Sequence, residues 1–191
     1  MNIDKAFGRH FNIGDMVMES DDLVERRLSD LRGFFADTAA YDRALSENDP
    51  VIYQVYGQTK TDGDGDLHYG LGVLMSGKVG EEYYMTKGHI HEWREAAEVY
   101  VGLSGSGLIL LEDIETSESE TFSLGKERIV YVPGMTAHRT INTGDNPLVY
   151  LGIYPARAGH DYGYLTEKNF RKVVVGSEDG VRVVDRSEYL N

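Results

Sequence analysis

The chain has 191 residues, of which 41% are hydrophobic and 27% charged, and these values predict one globular domain with at most an appended arm. Its 19 Lys and Arg against 32 Asp and Glu give a formal net charge of −13, which argues against binding to nucleic acid or anionic membranes. The absence of cysteine excludes disulfides, thiol nucleophiles and thiolate metal sites, so any metal must be held by His and carboxylate.

Residues 1–49 are predicted to form an arm with short helices that pack on the rest of the protein. Residues 1–19 mix charges and glycine with short apolar pairs and lack the apolar stretch of a signal peptide, so we expect a cytoplasmic protein. From Ser20 to Arg32, early acidic residues and leucines near helical spacing predict a helix. A further helical turn is predicted over Ala39–Leu45.

Residues 50–191 are predicted to be a β barrel, because short β-rich runs follow one another, separated by clusters of Gly, Asp, Asn, Ser or Pro. No long helix lies between the runs, which favours an antiparallel sandwich or barrel over a parallel sheet. A terminal hairpin is predicted from Val173–Val175 and Val181–Val184. The other predicted strands are Val51–Tyr56, Leu67–Met75, Glu81–Thr86, Glu98–Leu103, Leu108–Glu112, Arg128–Val132, His138–Asn142 and Leu148–Tyr154.

Two stretches resemble ligand-binding loops but lack a required part. The three aspartates within residues 62–66 match the start of a calcium loop, but the turn glycine is missing and Val73 stands where a bidentate glutamate is needed. The glycines within residues 102–107 are not followed by a helix, so a dinucleotide-binding loop is rejected. Neither stretch is therefore expected to bind a ligand.

Three histidines and one glutamate predict a metal site. His89 and His91 lie two residues apart in a strand-like run, so their side chains point to the same face. Glu98 begins the next strand-like run, and His138 follows the Pro133-Gly134 turn at the start of another strand. Three imidazoles and a carboxylate on neighbouring strands suit one divalent cation, with positions left for water or substrate. Fe2+, Mn2+, Ni2+ and Zn2+ all remain open at this point.

The same residues resemble the two cupin motifs. The first motif is matched by His89, His91, Glu98 and Gly105, and the second by Gly125, Pro133, Gly134, His138 and Asn142. Longer runs make the chain similar to the cupin-type glucose-6-phosphate isomerases of archaea and some bacteria: Thr86–His91, Ala97–Tyr100, Tyr131–Pro133, Ala137–Thr140, Tyr154–Ala156 and Ala158–Gly163. The resemblance covers residues 51–184 and implies an all-β cupin double-stranded β-helix, a jelly-roll barrel.

This resemblance implies interconversion of glucose 6-phosphate and fructose 6-phosphate by a metal-containing homodimer, with Fe2+ as the expected metal and one ion per chain. Glu98 matches a glutamate discussed both as metal ligand and as the base that moves a proton between C1 and C2. A metal-aided hydride shift is the competing route, and the sequence does not choose between them. A dimer is also expected because exposed strand edges of a small barrel favour pairing with a second copy.

Side chains around the histidines are expected to bind the phosphosugar. Thr86, Lys87 and Gly88 offer hydroxyl, ammonium and backbone N–H donors for the phosphate. The resemblance implies that His160 acts in ring opening or sugar binding. The remaining expected contacts are three tyrosines: Tyr100, which shares a strand face with Glu98, and, by resemblance, Tyr154 and Tyr162.

Two other classes of cupin use similar residues. A metal-dependent dioxygenase would use the same three histidines and glutamate with oxygen as co-substrate, and a non-catalytic sugar-binding cupin would keep the fold without turnover. The segment Gly159–Tyr162 favours the isomerase over both, with manganese-dependent mannose-type isomerisation as a nearer relative. Arg94 and Arg157 are expected either at the site or in pairs with surface acids.

Overall fold

A computed structural model describes residues 6–190 and confirms the all-β cupin barrel. The helices are α1 (Thr38–Glu47), α2 (Gly163–Lys168) and two 3-10 turns at Leu28–Leu31 and Ala156–Ala158. The strands are β1 (Phe11–Asn12), β2 (Val17–Met18), β3 (Asp22–Arg27), β4 (Val51–Gln58), β5 (Leu67–Leu74), β6 (Lys78–Val79), β7 (Glu82–Tyr83), β8 (Glu98–Ser104), β9 (Ser106–Asp113), β10 (Ser119–Gly125), β11 (Ile129–Val132), β12 (Thr136–Asn142), β13 (Leu148–Pro155), β14 (Lys172–Ser177) and β15 (Gly180–Asp185).

Two antiparallel sheets form the walls of the barrel. One has six strands in the order β11-β8-β13-β5-β4-β3, and the other has three in the order β10-β9-β12. Alternate side chains of both sheets point inward, where Tyr100, Ile109, Leu111 and Tyr150 belong to one buried core. A smaller sheet, β15-β14-β7-β6, contains the predicted terminal hairpin as β14 and β15. Inward-facing residues at one end of this core can therefore form a site inside the barrel.

The helix predicted over Ser20–Arg32 is wrong. Residues Asp22–Arg27 form β3, which pairs with β4 along its length, with Val24 opposite Val55. Only Leu28–Leu31 turns as a short 3-10 helix. The strand wins because pairing with β4 satisfies a row of backbone groups that would otherwise stay open at the sheet edge. As a result β3 alternates its side chains between the barrel interior and the outside.

The second predicted helix is confirmed as α1, whose first turn is capped by the Asp37 carboxylate accepting from Ala40 N at 2.8 Å. The run Glu81–Thr86 has only two residues in a strand. The sequence prediction lacks β10, α2 and the two-residue strands β1, β2 and β6. The division between an arm and a barrel at residue 49 stays a prediction, since β3 lies before it but pairs with β4. Neither described helix has the length and apolar composition needed to cross a membrane.

Candidate active site

Four side chains from three parts of the chain meet at one point inside the barrel. The ligand atoms of His89, His91, Glu98 and His138 all lie within 4.8 Å of one another. Glu98 on β8 and His138 on β12 reach the point from opposite sheets, with Oε2 and Nε2 3.0 Å apart. The same Oε2 is 3.4 Å from His91 Nε2 and 3.7 Å from His89 Nε2. The predicted ligand set is therefore brought together around one carboxylate oxygen.

The backbone before the two neighbouring histidines is shaped by a glycine. Gly88 has a φ of +74°, and a Cβ there would lie 2.7 Å from the carbonyl oxygen of His138. This close approach lets His89 form a single bridge with His138, through hydrogen bonds of 3.1 and 3.0 Å between their backbones. Any side chain at residue 88 would separate the two strands that carry these ligands.

Backbone carbonyls orient two of the rings. His91 Nδ1 is 2.9 Å from the carbonyl oxygen of Ala96, within the excursion that leads from His91 to Glu98. His138 Nδ1 is 3.2 Å from the carbonyl oxygen of Thr136. A ring that donates from Nδ1 presents the lone pair of Nε2, which is the form that binds a metal. Both rings therefore aim an acceptor nitrogen at the centre of the cluster.

The cluster fits a divalent metal ion. The Nε2 atoms of His89 and His91 are buried and have no hydrogen-bond partner in the described part of the chain. Leaving such atoms unpaired is costly, and a cation between them and the Glu98 carboxylate would satisfy both. Three neutral imidazoles and one carboxylate are also a donor set that suits borderline divalent ions.

The protonation states of His89 and Glu98 favour metal binding. Burial, followed by the neighbouring His138, lowers the pKa of His89 to about 3. Burial would raise the pKa of Glu98, but the three neighbouring imidazoles, with His138 first among them, outweigh it and hold that pKa well below its usual range. Near neutral pH His89 is thus neutral and Glu98 ionised, so neither has to lose a proton to bind a cation.

A cavity of about 410 Å³ opens in front of the cluster. Glu98, His89 and His138 form part of its wall. The other residues that the sequence assigned to catalysis or substrate binding all line it as well: Thr86, Lys87, Gly88, Tyr100, Tyr154, His160 and Tyr162. The site residues predicted from the sequence thus line one cavity, apart from His91, which belongs to the ligand cluster but not to the lining.

His160 stands over the metal-ligand cluster. Its ring centroid is 4.5 Å from that of His89 and 5.0 Å from that of Tyr154, and it stacks on Tyr162 at 6.0 Å. Burial is the main reason why the pKa of His160 is lowered to about 4. The imidazole is therefore neutral near pH 7 and can both accept and donate a proton.

Two arginines of the cavity wall were not singled out from the sequence. Arg26 comes from β3, and Arg139 follows His138. Arg139 is 2% exposed, donates to the carbonyl oxygen of Lys87 at 2.7 Å and lies 4.3 Å from the centre of the Phe170 ring. Burial lowers the pKa of Lys87, and the charge of Arg26 lowers it further, so these cations lie near one another.

The signals for the two arginines differ in kind. Arg139 lies in the run Ala137–Thr140, which is part of the family resemblance. Strand alternation argued against a role in the site, because it places Arg139 on the opposite face from His138. The sequence does not indicate Arg26 as a site residue, because the segment that contains it is predicted to be a helix. Together with Lys87, they supply three cations to a cavity whose lining has only two carboxylates, Asp22 and Glu98. The cavity is therefore suited to an anionic ligand although the chain is acidic.

Arg94 and Arg157 pair with acids, but in different surroundings. Arg157 lies 3.3 Å from Asp64 on the surface, where Asp64 is 92% exposed. Arg94 lies 2.7 Å from Asp161, and both side chains are partly buried next to the segment that carries His160. Only the second pair adjoins the segment that carries His160 and Tyr162, which line the cavity.

Comparisons with known proteins agree on one family. The family model described as Glucose-6-phosphate isomerase (GPI) matches residues 25–190. A glucose-6-phosphate isomerase of Thermococcus kodakarensis is 43% identical over 189 residues, or 99% of each chain, and one of Pyrococcus horikoshii is 44% identical over 92% of each. A bacterial one, from Sinorhizobium medicae, is 38% identical over 86% of this chain and 78% of its own. A solved structure of Bacillus subtilis oxalate decarboxylase aligns with a TM-score of 0.43 at 22% identity, over 57% of this chain and 27% of that one.

Proposed function

The chain belongs to the glucose-6-phosphate isomerase family, and we propose that it interconverts glucose 6-phosphate and fructose 6-phosphate in the cavity in front of His89, His91, Glu98 and His138. One observation carries this assignment to the cavity. It combines a metal-ligand cluster with a wall of Arg26, Lys87 and Arg139, so a sugar phosphate can span from one to the other. The dioxygenase and sugar-binding alternatives have no such support from the family comparison.

We propose one divalent metal per chain on these four ligands, with Fe2+ as the expected ion. The two buried Nε2 atoms without partners support this proposal. When bound, such a cation stabilises the negative charge that develops on O1 and O2 as hydrogen moves between C1 and C2. The side chains of the protein must supply the remaining work of binding, ring opening and proton movement.

We propose Glu98 as the group that carries the proton between C1 and C2. Its two carboxylate oxygens have different surroundings: Oε2 faces the imidazoles, whereas Oε1 lies over Gly152 of β13. A Cβ at residue 152 would be 2.6 Å from Oε1, so Oε1 can occupy this position only when residue 152 is glycine. Oε1 is thus available to remove a proton while Oε2 stays with the cluster. A hydride shift remains the competing route.

His160 is proposed to open the sugar ring. Its neutral imidazole lies beside the ligand cluster, where the C1 hydroxyl must lie if O1 and O2 are to reach the cluster. It can accept the proton of that hydroxyl and return a proton to the ring oxygen. Tyr154 and Tyr162 flank its ring and are proposed to hold the sugar hydroxyls. Burial and the Glu98 charge raise the pKa of Tyr154, so its phenol stays protonated and donates.

The phosphate is proposed to lie by Thr86, Lys87 and Gly88. The Thr86 hydroxyl oxygen accepts from Thr140 N at 3.1 Å and from Thr140 Oγ1 at 3.3 Å, which leaves its own hydrogen for the phosphate. Lys87 contributes an ammonium group to the same wall. Tyr100 is buried next to Glu98, and we propose that it contacts the sugar between the two ends.

We also propose a homodimer in the cytoplasm. The edge strand β11 of the six-stranded sheet exposes Ile129 by 72% and Tyr131 by 64%. The neighbouring strand β8 turns Val99 and Val101 to the same outer side, where both are half-buried. An apolar sheet edge of this kind is covered when a second copy pairs with it. A phosphorylated sugar as substrate and a chain without cysteine support a cytoplasmic location.

One experiment tests the assignment directly. Fructose 6-phosphate formation from glucose 6-phosphate is measured before and after chelation, and then with Fe2+, Mn2+, Ni2+ or Zn2+ added back singly. We expect turnover that chelation removes and at least one metal restores. If no metal restores turnover above that of the chelated protein, the proposed metal-dependent activity is wrong.

A further inference from the structure

The segment that carries His160 and Tyr162 is held by the loop that follows His91. Ile90 and Asp161 exchange two backbone hydrogen bonds, of 3.3 and 2.8 Å. The backbone N–H of Trp93 donates to the carbonyl oxygen of Ala158 at 2.9 Å. The metal-ligand loop and the His160 segment are thus in contact, although 67 residues separate Arg94 from Asp161.

The side chains of Arg94 and Asp161 connect the two pieces a second time. The Arg94 guanidinium donates through Nη1 to the carbonyl oxygen of His91 at 2.6 Å and through Nη2 to Asp161 Oδ2 at 2.7 Å. The other oxygen, Asp161 Oδ1, accepts from the backbone N–H groups of Gly163 and Tyr164 at 2.9 and 3.3 Å. The Arg94 guanidinium and the Asp161 carboxylate therefore link the backbone of the metal ligand His91 to the residues that precede and follow Tyr162.

His160 depends on such support because its ring has few contacts that fix it. Within residues 6–190 no hydrogen bond holds the imidazole, and its aromatic neighbours are the rings of His89, His91, Tyr154 and Tyr162. Aromatic contacts of this kind tolerate sliding more readily than a charge-assisted hydrogen bond does. The backbone on either side of His160 must therefore set where the ring stands.

Building on the proposed function, we propose that Arg94 and Asp161 are positioning residues of this active site. They act through His160 and Tyr162 and do not touch the substrate themselves, since neither lines the cavity. The Arg94 guanidinium fixes the distance between the metal-ligand loop and the His160 segment. Without it, the segment keeps its backbone bridge at Ile90 but loses the side-chain link that holds its register over His89.

A double-mutant cycle tests this coupling. Arg94→Met keeps much of the side-chain length without the charge, and Asp161→Asn keeps an oxygen for the α2 turn while losing the ionic link. Each is expected to lower kcat/KM by roughly 10-fold with unchanged metal content, because a misplaced catalytic group costs rate steeply. The double variant is expected to be no worse than the worse single one. Arg94→Lys is expected to regain part of the loss.

The matched control is Arg32→Met, which removes an exposed ion pair with Asp42, 3.0 Å long, away from the cavity. It is expected to keep the kcat/KM of the parent. If Arg94→Met and Asp161→Asn behave like this control, or if their losses multiply in the double variant, the positioning role is wrong. Thermal unfolding of each variant separates a local effect from a loss of fold.

A second readout does not depend on turnover. Trp93 is the one tryptophan of the chain, and it lies in the contact between the loop after His91 and the His160 segment. The centre of its ring is 4.2 Å from the guanidinium carbon of Arg157. Acrylamide quenching of its fluorescence in metal-free protein is expected to rise in Asp161→Asn and Arg94→Met, and to stay at the parent value in Arg32→Met. Unchanged quenching in Asp161→Asn, whose change lies far along the chain from Trp93, would overturn the link itself. An inactive parent with increased quenching would refute the proposed function and leave the link standing.

Discussion

Gly152→Ala tests the division of labour between the two oxygens of Glu98. The new Cβ would lie 2.6 Å from Oε1, and ordinary contact begins at about 3.4 Å, so the oxygen must move by roughly 0.8 Å. Oε2 is tied to His138 at 3.0 Å, and the shift therefore falls on Oε1. A displacement of this size at a reacting group costs on the order of 10- to 100-fold in rate.

The assay measures turnover, metal content and thermal unfolding of Gly152→Ala beside Gly57→Ala. Gly57 is a strand glycine in the same sheet whose added Cβ would meet only Thr59 and Asp22, at 3.6 Å or more. We expect both variants to fold, with Gly152→Ala slow and Gly57→Ala within about 3-fold of the parent, since an ordinary contact needs no shift. Parent-like turnover in a fully metallated Gly152→Ala would show that the place of Oε1 is unimportant.

The remaining predictions concern the metal, the base and the assembly. Replacing His89, His91 or His138 with Ala should markedly lower the one divalent ion per chain found by metal analysis, and normal content in all three would mean that the site is misplaced. Glu98→Gln should keep most of the metal while turnover falls by roughly 100-fold, the usual size of a lost general base. In the parent protein, deuterium from the solvent should also appear at C2 of the substrate. The hydride shift would be favoured if the parent takes up no deuterium and the metallated Glu98→Gln variant is still active. Light scattering should give twice the 21.4 kDa of one chain, and Ile129→Glu should halve that mass; a parent that scatters as one chain would contradict the dimer.

The metal-ligand cluster could be predicted because its signals are local. Alternation along a strand places His89 and His91 on one side, and a turn places His138 at the start of the next wall. The position of Glu98 also follows from the start of β8. A turn through Trp93 and Glu95 is needed to return Glu98 to the histidines, but the sequence does not show that its Ala96 carbonyl orients the His91 ring.

The parts that could not be predicted depend on partners distant in sequence. Asp22 at the start of β3 pairs with Gly57, and nothing near Asp22 reveals that partner. Leucine spacing over the same residues therefore indicated a helix, and Arg26 was lost from the expected site with it. The polar strand β10 lies at a sheet edge, where a buried face gives only a weak alternation signal. Arg94 illustrates the same limit, because only the fold shows that Asp161 is the acid it meets.

The acidic chain and its anionic substrate are reconciled by where the charges lie. A net charge of −13 lowers the local concentration of phosphate at the surface, so affinity has to come from the cavity. Among residues 6–190 no carboxylate lies within hydrogen-bond distance of the buried Arg139, whose guanidinium donates to the Lys87 carbonyl and to Asn169 Oδ1 and contacts the Phe170 ring. Burial lowers the pKa of Arg139 to about 9 although the charges of Glu82 and Glu112 act against it, so the protein compensates this buried cation only in part. The cavity wall at Arg139 therefore favours a phosphosugar over a neutral sugar, because the phosphate brings a further negative charge to this cation.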